Sequence, residues 1–167
     1  MNTSRSILIR PPKLDDATAV NQLIKDCPPL DPNSHYCNLL QCSHFAKTSA
    51  IAELGNSIVG FISGYMIPQR PDTLFIWQVA VSEQARGSGL AAQMLADILS
   101  RSERETIQYL ETTITPSNQS SWRFFRKVAE ERATELHESD WLDEDQHFKG
   151  QHESELLVRI GPLTSNR

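Results

Sequence analysis

The rhythm of apolar and polar positions changes at residue 82. Before it, Leu74-Phe75-Ile76-Trp77-Gln78-Val79-Ala80-Val81 is almost continuously apolar and rich in aromatic and β-branched side chains. That is the pattern of a strand buried on both faces. After it, Leu90, Met94, Leu95, Ile98 and Leu99 recur at helical spacing. Ser82-Glu83-Gln84-Ala85-Arg86-Gly87-Ser88-Gly89 lies between, so the order is strand, glycine-containing loop, helix. Such a join points successive backbone N–H groups, and the positive end of a helix dipole, at one spot beyond the strand. An anion suits that spot, a phosphate above all.

The rest of the chain follows the same two periods. Ser6-Ile7-Leu8-Ile9-Arg10 predicts a strand closed by Pro11-Pro12, and Asp15 or Asp16 caps a helix with apolar face Ala17, Val20, Leu23, Ile24 and Cys27. Pro28-Pro29 ends that helix. Ser34 opens a second one through Tyr36, Leu39, Leu40 and Phe45, with Tyr36 read as a core anchor. Two strands around Gly55-Asn56 read as a hairpin, and Gln69-Arg70-Pro71-Asp72 as a loop into the central strand. Residues 107–114 predict a strand, and Asn118 caps a helix over residues 119–131. A strand over residues 134–139, a polar loop over 140–152 and a last strand over 155–160 complete the chain. The order β, α, α, β, β, β, α, β, α, β, β predicts an α+β fold. A single mixed, mostly antiparallel sheet carries helices on both faces, in one domain over residues 7–163.

Composition narrows the classes of function. The 167 residues suit one full hydrophobic core. The formal net charge of −5 leaves no basic footprint for nucleic acid or an anionic membrane. No apolar run is long enough to span a bilayer and the N-terminus lacks a signal-peptide core, which predicts a cytoplasmic protein. Cys27, Cys37 and Cys42 form no C-x-x-C pair, so neither a disulfide framework nor a thiolate zinc site is expected. The spacing of His147, His152 and Glu155 matches no fixed metal geometry, and no metal is expected.

Two ligand classes fit the glycine loop. Gly87-Ser88-Gly89-Leu90-Ala91-Ala92 matches the dinucleotide pattern G-x-G-x-x-G/A, with Glu111 placed where a ribose-binding acid would stand. Against it, such a unit normally comes early and is followed by a second half, and little chain remains after Ile114. No lysine follows the glycines, so a P-loop is excluded. In the other register, Arg86-Gly87-Ser88-Gly89-Leu90-Ala91 resembles the R/Q-x-x-G-x-G/A loop of the GNAT superfamily of N-acetyltransferases. The predicted order of elements is similar to that superfamily as well.

This resemblance implies a direct, acetyl-CoA-dependent N-acetyltransferase. It implies that Arg86, Gly87, Ser88, Gly89, Leu90 and Ala91 hold the pyrophosphate, and that Val79, Ala80 and Val81 lend backbone groups to the pantetheine arm and thioester. Asn118 matches an asparagine that touches coenzyme A. Seven residues further on, where many members carry a tyrosine that protonates the leaving thiolate, this chain has Phe125, and no general acid is assigned. Within the superfamily the text is similar to the enzymes that acetylate the 4-amino group of L-2,4-diaminobutyrate. The matching stretches are Leu30-Asp31-x-Asn33-Ser34-x-Tyr36, Thr73-Leu74-Phe75-x-Trp77-Gln78-Val79-Ala80-Val81, Ala85 to Ala91, Leu110 to Ile114, and His152-Glu153-x-Glu155.

A free alkylamine has a pKa near ~10, so it must lose a proton before it attacks a thioester. His152 and Glu155 are the candidates to take it. Asp31, Tyr36, Trp77, His152 and Glu155 are the candidates to hold a small-molecule diamino acid. The resemblance also implies a homodimer. Acetylation of protein amino groups, and a non-catalytic acyl-CoA-binding module, stand as alternatives.

Overall fold

Apolar residues at positions three and four apart bury Ala17, Val20, Leu23 and Ile24 along α1 (Ala17–Lys25), which follows β1 (Ile7–Arg10) and a 3-10 turn at Leu14–Asp16. The computed structural model describes residues 6–101 and 107–163. After α1 come α2 (His35–Gln41), β2 (Ala50–Leu54), β3 (Ser57–Ile67), β4 (Arg70–Val81), α3 (Leu90–Arg101), β5 (Tyr109–Ile114), α4 (Gln119–Glu131), β6 (Glu135–Leu142) and β7 (Glu155–Gly161). The seven strands form one open mixed sheet in the order β1-β2-β3-β4-β5-β7-β6. β4 and β5 pair in parallel at Thr73–Tyr109, Leu74–Leu110 and Phe75–Glu111. β1–β2, β2–β3, β5–β7 and β6–β7 pair antiparallel. The predicted α+β class and the predicted order of elements match this architecture.

The described residues fall into two compact units, one from residues 6–65 with 76–101, the other from residues 66–75 with 107–163. In the first, α1 packs its apolar face with Cys27, Cys42, Ile51, Phe61 and Ala80, and Leu30, Leu39 and Ile58 press against that cluster. α3 buries Leu90, Met94, Leu95 and Ile98. It lies close to β3 because Gly60 has no side chain. A Cβ there would stand 2.9 Å from Met94 Cε and 3.1 Å from Ala52 Cβ. In the second unit α4 buries Trp122, Phe125, Val128 and Ala129, and the strands bury Leu110, Ile114, Val158 and Ile160.

Several expectations are corrected. Arg70, Pro71 and Asp72 belong to β4, not to a loop, and Asp72 O accepts from Gln108 N at 2.9 Å. β4 is not buried on both faces. Leu74, Ile76 and Ala80 are buried, while Phe75, Val79 and Val81 are half-buried and Trp77 is 42% exposed. Continuous apolar text covers a half-open strand as readily as a closed one, because much of any protein surface is apolar. α2 stops at Gln41, short of Phe45, and its buried residues are the polar pair Asn38 and Gln41. Tyr36 is 70% exposed, so it anchors no core. Asp16 stands at the N-cap of α1 without capping it. Its carboxylate instead takes Lys13 N at 2.6 Å and the Arg10 guanidinium at 2.8 and 3.0 Å. Burial works to raise the Asp16 carboxyl, and these bonds outweigh it, holding the group below the usual carboxylate range. β6 runs on through Leu142, with a register shift between Ser139 and Leu142.

Candidate active site

The loop after β4 is folded by its own backbone. Ser82 N donates to Val59 O at 2.8 Å, a 3-10 turn covers Glu83–Ala85, and Arg86 N donates to Glu83 O at 3.3 Å. The Arg86 side chain turns back and donates from Nε to Val81 O at 3.1 Å, which fixes the loop's one cation beside the strand end. Ser88 Oγ donates to Ala85 O at 2.8 Å. Gly87 and Gly89 adopt φ of 81° and 73°, left-handed values that side chains rarely accept, and a Cβ at either would meet nothing within 4 Å. α3 therefore begins at Leu90 with its first N–H groups at the end of an open loop. A helix leaves these donors without intrahelical acceptors. This arrangement fits a pyrophosphate held by backbone dipoles and one guanidinium.

In the same unit the segment from Asp31 to Ser34 is tied to β4. Gln78 Nε2 donates to Asp31 O at 2.9 Å, and Asn33 Nδ2 donates to Gln78 Oε1 at 2.6 Å. Gln78 N in turn donates to Ser63 Oγ at 3.0 Å. Asn21 Nδ2 bridges Asn33 O and Asn38 Oδ1, at 3.0 and 2.8 Å, and Asn38 Nδ2 donates to Gln41 Oε1 at 2.8 Å. This amide chain satisfies Asn38 and the Gln41 Oε1 on the buried polar face of α2, leaving Gln41 Nε2 buried without a partner among the described residues, and it ties the Asp31 backbone to β4. Asp31 and Tyr36 are legible as site candidates in the sequence, whereas the roles of Gln78 and Asn21 depend on partners 12 or more residues away. Trp77 packs edge-on to Tyr65 at 6.1 Å, and Tyr65 tilts against Phe45 at 5.7 Å. Burial pushes the Tyr65 hydroxyl up, so it stays protonated at neutral pH.

The backbone of Val79, Ala80 and Val81 is partly engaged, since Val81 O accepts from Arg86 Nε and, at 3.5 Å, from Cys27 Sγ. The cysteines are ill suited to nucleophilic work. Cys27 and Cys42 are buried, and burial, with the charge of Asp16, pushes the Cys42 thiol up to about 12.

The second unit holds the remaining candidates. Asn118 caps α4, its Oδ1 accepting from Ser121 N at 3.2 Å. Glu155 opens β7 and accepts from Thr113 Oγ1 at 3.1 Å. His152 Nδ1 lies 2.6 Å from Glu153 O. A carbonyl only accepts, so Nδ1 carries the hydrogen and Nε2 is the basic nitrogen of the neutral ring. Phe148 packs on the His152 ring at 4.7 Å. Phe125, at the position of the family's tyrosine, is 3% exposed and packs edge-on to Phe124 at 4.9 Å. Its place in the core of α4 gives it no part in proton transfer.

Glu111, the acid that a dinucleotide reading needs, is 1% exposed. Arg70 forks onto both of its oxygens, and Arg159 Nη1 reaches Oε2 at 2.9 Å. A carboxylate so enclosed is not available to a ribose, and the dinucleotide reading falls with it. Among the described residues no three of His, Cys, Asp and Glu are grouped to hold a metal ion, and no helix is long and apolar enough to cross a membrane.

Comparison with known proteins agrees with this geometry. Residues 17–129 match the model of the acetyltransferase (GNAT) family. The L-2,4-diaminobutyric acid acetyltransferase of Methylotuvimicrobium alcaliphilum is 52% identical over 94% of this chain and 91% of its own. That of Vibrio parahaemolyticus is 49% identical over 94% and 87%. The solved diaminobutyrate acetyltransferase EctA from Paenibacillus lautus, in complex with L-2,4-diaminobutyric acid and coenzyme A, superimposes with a TM-score of 0.91. It is 37% identical, covering 98% of this chain and 99% of that one. With a family match across most of its length and relatives this close, the chain belongs to the GNAT acetyltransferase family.

Proposed function

We propose that the chain is an acetyl-CoA-dependent N-acetyltransferase acting on the 4-amino group of L-2,4-diaminobutyrate, a step of ectoine biosynthesis that serves osmoprotection. Residues 7–163 act as one catalytic domain. The observation that carries the reading is the join of β4 to α3, with Gly87 and Gly89 at positive φ and Arg86 pinned to Val81 O. The substrate follows from relatives near half identical and from a neighbour solved with that diamino acid and coenzyme A.

Acetyl-CoA supplies an acetyl group activated as a thioester. The chain supplies the rest. Arg86 and the N–H groups of Gly87, Ser88, Gly89, Leu90 and Ala91 hold the pyrophosphate, and Asn118 donates to the cofactor from its Nδ2. Backbone N–H groups of Val79, Ala80 and Val81 steady the oxygen on which charge develops. Asp31 and Tyr36 hold the polar end of the diamino acid, and Trp77 walls its carbon chain. One of the two bases, the Glu155 carboxylate or His152 Nε2, accepts the single ammonium proton, so the nitrogen arrives neutral with its lone pair available. The chain works in the cytoplasm as a homodimer.

An acetyl-transfer assay across diamines and diamino acids tests the function. L-2,4-diaminobutyrate is expected to give the fastest thiol release, with NMR placing the acetyl on the 4-nitrogen. Preference for a protein N-terminus, or acetylation of the α-nitrogen, would sink the reading. Sedimentation at working concentration is expected to give twice the 18.9 kDa chain mass, and a monomer would remove the homodimer.

A further inference from the structure

The stretch His152-Glu153-x-Glu155 contains one acid that the proposed mechanism leaves without work. Glu153 is exposed, yet both of its carboxylate oxygens are used. Ser117 N donates to Oε1 at 3.2 Å and Ser117 Oγ to Oε2 at 2.7 Å. Ser117 is the residue before Asn118, in the turn where Asn118 N donates to Thr115 O at 3.1 Å and Trp122 Nε1 donates to Thr115 O at 3.1 Å. The main-chain carbonyl of the same glutamate receives His152 Nδ1. One residue therefore grips the start of α4 with its side chain and sets the histidine tautomer with its backbone.

We propose that Glu153 is a positioning residue. Through Ser117 it holds Asn118 where the cofactor needs it, and it moors the His152 segment to the same turn. The inference rests on the proposed function and adds a residue to it. Charge-assisted bonds to a backbone N–H and a hydroxyl are among the stronger ones available to an exposed group. An exposed surface loop has many other conformations, so the clamp acts by raising the fraction of chains with the turn already in place. Apparent affinity falls in proportion when that fraction falls.

The test measures acetyl-CoA KM, kcat and thermal stability for the wild type, Glu153→Ala, Glu153→Gln, Ser117→Ala and the Glu153→Ala/Ser117→Ala double variant. Glu153→Ala is expected to raise acetyl-CoA KM about three- to tenfold, with kcat within about twofold of wild type. Glu153→Gln keeps one accepting oxygen and should recover part of the loss. Ser117→Ala keeps its N–H and should lie in between, and the double variant should be no worse than Glu153→Ala, because the two residues act as one pair. A wild-type chain that neither binds acetyl-CoA nor releases thiol would end the proposed function and this inference together. An active wild type whose KM is indifferent to Glu153→Ala, or a double variant whose losses multiply, would end this inference alone.

Discussion

Glu155 shows how little a single carboxylate's position needs to say before it becomes testable. It accepts a hydrogen bond from Thr113 Oγ1 on the neighbouring strand, which fixes one of its oxygens. Replacing it by Gln keeps the shape and an acceptor for Thr113 but removes the charge. If Glu155 holds the ammonium or takes its proton, Glu155→Gln should lower kcat/KM for L-2,4-diaminobutyrate by about ten- to a hundredfold, with acetyl-CoA affinity unchanged. An unaltered profile would remove it from the site. The family resemblance, with their residue types, marked Glu155 and His152 as chemical, but the tautomer of His152 came only from a carbonyl one residue along. Phe125 was legible as a departure from the family's tyrosine, and its burial in α4 explains why the departure is harmless to the fold.

At the level of elements, local signals carried furthest where one residue type has a strong backbone reason to be there. Asn118 caps α4 at the expected residue, and Gly55, with φ of 63°, turns the hairpin. The signals failed where tertiary partners decide. Pro71 and Asp72 look like turn formers, yet they sit in β4, where Gln108 N reaches Asp72 O. Asn38 and Gln41 look solvated, yet an amide chain from Asn21 lets them be buried. The loop before α3 makes the sharpest prediction on this scale. A Cβ at Gly89 would meet nothing within 4 Å, so the cost of adding one there is torsional. Gly89→Val should therefore destabilise the protein by about 1–2 kcal/mol and raise acetyl-CoA KM about tenfold or more, whereas Gly89→Asn, which tolerates the left-handed region, should lose much less. Thermal melts and KM values that rank Val equal to Asn would contradict this account of the loop.

For the molecule as a whole, a formal net charge of −5 confronts a cofactor that is itself a polyanion. The loop offers one cation, Arg86, with Glu83 only three residues before it. Long-range attraction is thus weak, and the grip depends on N–H groups at contact distance, which salt screens little. Raising ionic strength from about 0.05 to about 0.5 M should change acetyl-CoA KM by no more than about twofold. A steep rise with salt would show that side-chain charge does the holding. The overall topology was legible because the strand, glycine loop and helix leave only a small set of arrangements for the remaining elements. Which face of β4 stays open was not, since Trp77 and Ile76 are equally apolar on paper. The loop's reliance on main chain has a consequence for how this protein can vary. Every residue but proline carries a main-chain N–H, so Ala91 and Ala92 are open to drift or redesign at little loss, and the heritable constraint narrows to two residues without side chains, one arginine and the serine whose hydroxyl closes the loop onto Ala85 O.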